Sequence, residues 1–345
     1  MTDLKKWPAL DFVKFICVAV MIFAHAHIML IIRYDRVLDN SGFFYKITEK
    51  YMPLGLFIMI LPMLAGVVFR IAGKLNLQKT ANTAIFLALL GFFMNIITWG
   101  WRYSFSWNVL QFIGLSFLVI AFLMEYFSID AVFLLSFITL VAAEPLRGIL
   151  WDWQNNYFTA IFIGSGNGYM LWPFLPWFGL VGLGFIFADV YEKNTNKNKF
   201  IFLSGLLGVF LIIAVVLMGE ISPFLDPKYI WGSSVFQPKI GWVFAAIGLF
   251  LSLMAITNTF LNKMEFHKYG IVNSFSKGIL WIYVVQMFVS HYLSFVIKRF
   301  FPMDGPTLAY FILPVFMLVL SWGVGALSIK LLTEKTLVIT LKKIR

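Results

Sequence analysis

Apolar segments of about 20 residues recur along almost the whole chain, and each is long enough to cross a lipid bilayer as a helix. Of the 345 residues, 61% are hydrophobic and 12% are charged, whereas soluble proteins carry about 25% charged residues. The mean hydropathy of +0.88 agrees with this pattern. The sequence therefore predicts an all-α, polytopic membrane helical bundle that forms a single domain over residues 1–345.

The apolar runs and the breaks between them predict about ten transmembrane helices. We place them near residues 8–32, 51–73, 82–101, 107–126, 129–147, 172–191, 199–218, 239–261, 279–300 and 307–332. Lysine and arginine are more frequent in the loops on the side of the two termini, and cytoplasmic loops are the ones enriched in these residues. Both termini are therefore predicted to be cytoplasmic, and the expected location is a bacterial inner membrane.

Composition also excludes several classes of function. The net charge of +11 does not indicate a nucleic-acid-binding protein, because no long basic run or soluble module could bind a nucleic acid. Cys17 is the single cysteine, which excludes an internal disulfide bond. No metal site is predicted, because His25 and His27 lie two residues apart on a helix and cannot chelate one ion from the same face.

The first predicted helix carries ionisable residues, at a cost of roughly 2.5–3.5 kcal/mol each deep in the membrane. Lys14 and His25 are separated by eleven residues, which leaves them about 20° apart around the helix axis and roughly 16 Å apart along it. Asp11 lies on the same side. The three residues form one polar stripe, which indicates a functional site. The simpler alternative is that Asp11 and Lys14 form a pair whose charged ends extend to the membrane surface, while His25 makes one hydrogen bond to another helix.

Other polar residues in the predicted helices could face His25. They include Asn108 and Gln111 at the start of the fourth helix and Gln286 in the ninth, although a hydrogen bond between helices is the simpler explanation for each residue taken alone. Arg70 and Lys74 lie at the cytoplasmic end of the second helix. They either follow the bias of cytoplasmic loops toward basic residues or hold the phosphates of a nucleotide-type donor.

Residues 10–25, with the sequence LDFVKFICVAVMIFAH, resemble the opening helix of the transmembrane acyltransferase superfamily, which includes acyltransferase family 3 and heparan-alpha-glucosaminide N-acetyltransferase-like proteins. Asp11, Lys14 and His25 fit the register of that motif. Segments Pro53–Phe69, Asn108–Leu123 and Trp172–Ala188 resemble the second branch, and the similarity extends over roughly residues 8–300. The chain departs from it at Gln286, where relatives often have a histidine three residues after a tyrosine.

The resemblance implies transfer of an acyl group, with acetyl expected, from cytoplasmic acyl-CoA to a hydroxyl or amine of a glycan, glycolipid or other extracytoplasmic acceptor. It implies catalysis by His25 with Asp11 and Lys14, and no metal cofactor. Arg70 and Lys74 would bind the CoA, and Asn108, Gln111 and Gln286 the acceptor or the thioester carbonyl.

Two other classes of function remain open at this stage. One is a transporter or flippase of a polar or lipid-linked substrate, whose path the polar stripes would line. The other is a membrane scaffold without turnover, in which replacement of His25 would leave function intact.

Overall fold

The computed structural model describes residues 7–34, 55–73, 76–153, 156–164, 172–219, 238–261, 270–300 and 309–344. Within these ranges the chain forms eleven α-helices and no strand. The helices are α1 (Pro8–Tyr34), α2 (Gly55–Ile71), α3 (Leu77–Trp99), α4 (Val109–Tyr126), α5 (Ile129–Ile149), α6 (Tyr157–Ile163), α7 (Phe174–Lys193), α8 (Lys197–Leu217), α9 (Ile240–Leu261), α10 (Gly270–Phe300) and α11 (Ala309–Ile344).

Nine of the described helices are long and apolar enough to cross a membrane, and α2 is a shorter apolar helix. The predicted polytopic helical membrane bundle is thus confirmed. Some boundaries differ from the prediction: α3 begins at Leu77 because the Asn76 side chain caps it by accepting a hydrogen bond from the Lys79 amide. Likewise, α10 begins at Gly270 rather than near residue 279. Its first turns contain polar residues, so the hydropathy pattern did not include them in the predicted span.

The chain divides into two compact units. The middle unit comprises residues from Phe43–Ile256 and therefore contains α2 to α8 and most of α9. The terminal unit comprises Trp7–Gly42 and Thr257–Arg345, so that it joins α1 to α10 and α11.

Helix α7 is the most buried helix of the middle unit and packs against α2 and α5. Glycines permit this close approach. A Cβ atom at Gly66 of α2 would overlap the carbonyl oxygen of Val181, and one at Gly184 of α7 would overlap the carbonyl oxygen of Met63. Small residues at such contacts let helix backbones approach closely, which is how helices associate without a hydrophobic driving force in lipid.

In the terminal unit, α1 packs against both α10 and α11. Asp11 contacts Ser276 and His25 contacts Gln286, so the contacts advance in the same order along the two helices. Helices α1 and α10 therefore run parallel.

Two parallel spans require an odd number of crossings by the chain between them. The long apolar helices described between α1 and α10 are α3, α4, α5, α7, α8 and α9, which is an even number. Helix α2 has 17 residues, within the range that can span a bilayer. We therefore expect α2 to supply the remaining crossing, in agreement with the predicted ten spans.

Candidate functional site

The polar stripe of α1 begins with an ion pair. Lys14 Nζ lies 2.9 Å from Asp11 Oδ1, and Ser276 of α10 donates a hydrogen bond to the same carboxylate. Lys14 is buried, whereas the Asp11 side chain is 35% exposed. A buried ammonium needs such a partner because its transfer out of water is costly. The pair is thus local to one helix turn and is anchored to α10.

His25 lies about three turns beyond Lys14 along α1 and contacts α10 as well. Its Nδ1 atom is 2.8 Å from Nε2 of Gln286, and its ring meets Tyr283 edge-on with centroids 6.1 Å apart. The predicted stripe thus faces one neighbouring helix at both of its ends. His27 differs, because its Nδ1 is 2.8 Å from the carbonyl oxygen of Phe23 in its own helix.

Gln286 is completely buried, with 0% of its surface exposed. Among the described side chains, its Oε1 atom has no hydrogen-bond partner, and the same holds for Oγ of Ser290, which is also fully buried. The two residues are four positions apart and share one face of α10. Buried polar atoms are normally paired, so this face of α10 has unused hydrogen-bonding capacity beside His25.

Arg70, the predicted phosphate ligand, is engaged by two carboxylates of α7. Its Nε lies 2.9 Å from Asp189 Oδ1 and its Nη2 lies 2.6 Å from Glu192 Oε2. Lys193 adds a contact of 2.8 Å to Asp189 Oδ2. The four charges balance, so a phosphate at Arg70 would compete with carboxylates already in place. Lys74 lies outside the described residues.

Replacement of Arg70 by methionine should lower the stability of the middle unit by about 1–2 kcal/mol. The Asp189 side chain is 5% exposed and would keep only Lys193, and removal of one partner from a buried ion pair leaves an uncompensated charge. Lys193→Met is the matched control and should cost under about 1 kcal/mol, because Lys193 is 67% exposed. Thermal unfolding of both variants in detergent measures the difference, and equal losses would contradict this role for Arg70.

Asn108 caps α4 and belongs to a buried network. Its Oδ1 accepts from the amides of Leu110 and Gln111, while Gln111 Oε1 accepts from the Asn108 amide, which completes a capping box. Its Nδ2 donates to Gly91 O and to Asn95 Oδ1, each at 2.9 Å. The side chain of Asn108 is therefore occupied, and its predicted contact with substrate stays a prediction, as does that of Gln111.

These residues are predicted from the sequence, whereas several of their hydrogen-bond and ion-pair partners are not. Ser276 lies before the predicted start of the ninth helix near residue 279, and Asp189 and Glu192 are not among the predicted site residues, although their spacing places both on one face of α7. The Asn-x-x-Gln pattern at Asn108 was a signal of a capping box that could have been read directly. Among the residues described, no group of three metal-binding side chains could hold a metal ion.

The fold and these side chains define a polytopic membrane protein with ionisable and buried polar residues inside its helices. Residues 6–225 match the family described as heparan-alpha-glucosaminide N-acetyltransferase, catalytic, and the chain belongs to this family. No curated protein and no solved structure gives a significant match. The matched segment contains Asp11, Lys14 and His25, but it ends before Gln286.

Proposed function

We propose that this protein is a membrane acyltransferase that moves an acyl group, with acetyl expected, from cytoplasmic acyl-CoA to a hydroxyl or amine of a glycan, glycolipid or other extracytoplasmic acceptor. Membership of the N-acetyltransferase family is the observation that carries the proposal. The contact of His25 with a buried amide on α10 supports it, because an imidazole inside a span is a functional candidate.

His25 acts as the general base in this mechanism, since an imidazole is suited to proton transfer near neutral pH. The acceptor oxygen or nitrogen attacks the thioester carbonyl carbon while its proton passes to His25. The new C–O or C–N bond forms, the C–S bond breaks, and the CoA thiolate recovers the proton from the imidazolium. In the alternative route, His25 itself attacks the thioester carbonyl carbon, the CoA thiolate leaves, and the resulting acyl-histidine passes the acyl group to the acceptor.

The other predicted residues take supporting roles. Asp11 and Lys14 organise the donor entrance at the cytoplasmic end of α1. Lys74 and Arg70 contact the CoA phosphates, which at Arg70 have to compete with Asp189 and Glu192. Asn108, Gln111 and Gln286 bind the acceptor or polarise the thioester carbonyl, the last of these from beside His25.

We further propose that residues 1–345 form one functional domain, and that both termini are cytoplasmic in a bacterial inner membrane. The family match supports this view, because it begins in the terminal unit and continues through most of the middle unit. No metal has a part in the mechanism.

Acetyl-CoA turnover by the purified full-length protein in liposomes tests the proposal. Released CoA is followed with a thiol reagent, and the single cysteine, Cys17, is buried and adds little background. Acceptor-dependent CoA release from a panel of sugars and amines is the expected result. Absence of both acetyl-CoA binding and turnover would overturn the proposal and favour a transporter or flippase, which flux assays in the same liposomes would detect.

A further inference from the structure

The contact between His25 and Gln286 couples the position of the ring proton of His25 to the orientation of the Gln286 amide. Nε2 of an amide can only donate hydrogen bonds, so when it faces Nδ1 of His25, Nδ1 must accept. A neutral imidazole then carries its proton on its own Nε2 atom. In that tautomer the second ring nitrogen is a donor, and it cannot take a proton from an acceptor substrate.

The same orientation leaves Oε1 of Gln286 buried and without a partner among the described side chains. The two ends of a side-chain amide are nearly identical in size, so the contact with His25 can accommodate either end. With the oxygen toward the ring, Oε1 would accept a hydrogen bond from Nδ1–H. The NH2 group would then lie where Oε1 now lies, on the face of α10 where Ser290 Oγ, which has no hydrogen-bond partner among the described residues, offers an acceptor.

We propose that Gln286 is a positioning residue that presents its side-chain oxygen to Nδ1–H of His25 and thereby leaves Nε2 of His25 free to act as the base. This inference rests on the proposed acyl transfer for its role in turnover. When the acceptor proton passes to Nε2, both ring nitrogens carry protons, and the hydrogen bond from Nδ1–H to Oε1 becomes charge-assisted. Gln286 would thus stabilise the imidazolium that forms during attack.

The tautomer of His25 can be measured without any turnover. Full-length protein labelled with ¹⁵N-histidine is reconstituted in nanodiscs, and the His25 signals are assigned by their loss in His25→Asn. We expect a protonated Nδ1 and an unprotonated Nε2 in the wild type at a pH where the ring is neutral. A proton on Nε2 would overturn the inference, whether or not the protein transfers an acyl group.

Two variants of Gln286 separate positioning from packing. Gln286→Glu keeps an oxygen that can accept from Nδ1–H, whereas Gln286→Met keeps the approximate volume and removes the acceptor. We expect kcat to fall by about 100-fold in Gln286→Met and by far less in Gln286→Glu, with KM for acetyl-CoA unchanged in both, whereas a raised KM would indicate direct contact of Gln286 with the substrate and contradict the positioning role. The Nδ1–H tautomer should persist in Gln286→Glu and become mixed in Gln286→Met.

Ser294→Ala is the matched control on the same helix, because Ser294 Oγ donates to its own helix at the carbonyl oxygen of His291. It should change neither the tautomer nor kcat. Equal losses of kcat in Gln286→Glu and Gln286→Met, with the tautomer unchanged in both, would show that Gln286 only fills space. Turnover absent from the wild type would instead reject the acyltransferase proposal and leave the tautomer measurement to decide the inference.

Discussion

Substitution of His25 by alanine should reduce acetyl-CoA turnover by about 10²–10⁴-fold, because a positioned general base contributes a factor of that size. The substitution removes the ring whose Nδ1 lies 2.8 Å from Nε2 of Gln286 and places no new polar group there. CoA release by purified wild type and variant, at saturating acetyl-CoA and acceptor, measures the loss. Binding of acetyl-CoA should be retained.

His27→Ala is the matched control for this experiment. It removes an imidazole from the same helix two residues away, where Nδ1 bonds to the carbonyl oxygen of Phe23. Its turnover should stay within a few-fold of wild type. If His25→Ala keeps wild-type turnover, or if His27→Ala loses as much, the assignment of His25 as the base is wrong.

Substitution of Gly66 by alanine should lower the stability of the middle unit by about 3 kcal/mol, near the upper end of the usual cost of overpacking. The added Cβ would overlap the carbonyl oxygen of Val181, and the backbone amide of Phe185 lies 2.8 Å from the same position. Backbone atoms cannot move aside as a flexible side chain can, so α2 and α7 must separate. Thermal unfolding in detergent, followed by gel filtration with fluorescence detection, measures the effect.

Gly148→Ala provides the control, since nothing lies within 4 Å of the position where its Cβ would be built. Gly148 is in α5, and alanine is the better helix former by up to about 1 kcal/mol, so stability should be unchanged or slightly higher. Similar losses in both variants would show that the cost comes from the loss of glycine itself rather than from the contact between α2 and α7.

The sequence predicted the spanning helices well because hydropathy reports directly on burial in lipid. It predicted helix ends less well: α10 begins at Gly270, and its polar first turns are stabilised by contacts that hydropathy does not report. Ser274 Oγ donates to the carbonyl oxygen of Gly270, and Ser276 reaches Asp11 of α1. Such contacts depend on packing and on a residue more than 250 positions away.

The candidate site was likewise predictable in part, because spacing within one helix can be read from the sequence and contacts between helices cannot. Spacing alone predicted that Asp11, Lys14 and His25 share a face, and both ends of that face indeed contact α10. The partners of Arg70 could not be predicted, because the register between α2 and α7 is set by glycine contacts such as that of Gly66. Asn108 caps α4, and its predicted contact with substrate stays a prediction.

The parallel pairing of α1 with α10 has a consequence for the order in which the protein is assembled. The Asp11–Lys14 pair can form within one turn of α1 as soon as that helix is made, so the charges of the first span can neutralise each other during membrane insertion. Among the described side chains of α1, by contrast, none pairs with the ring of His25, whose hydrogen-bond partner is Gln286 of α10. During synthesis the ribosome must still make all the intervening spans before Gln286 exists, and the imidazole meets its partner only late in biogenesis. A nascent chain arrested before α10 would therefore hold His25 without its partner Gln286, so that, if His25 is the proposed base, the site could be completed only after α10 has been made.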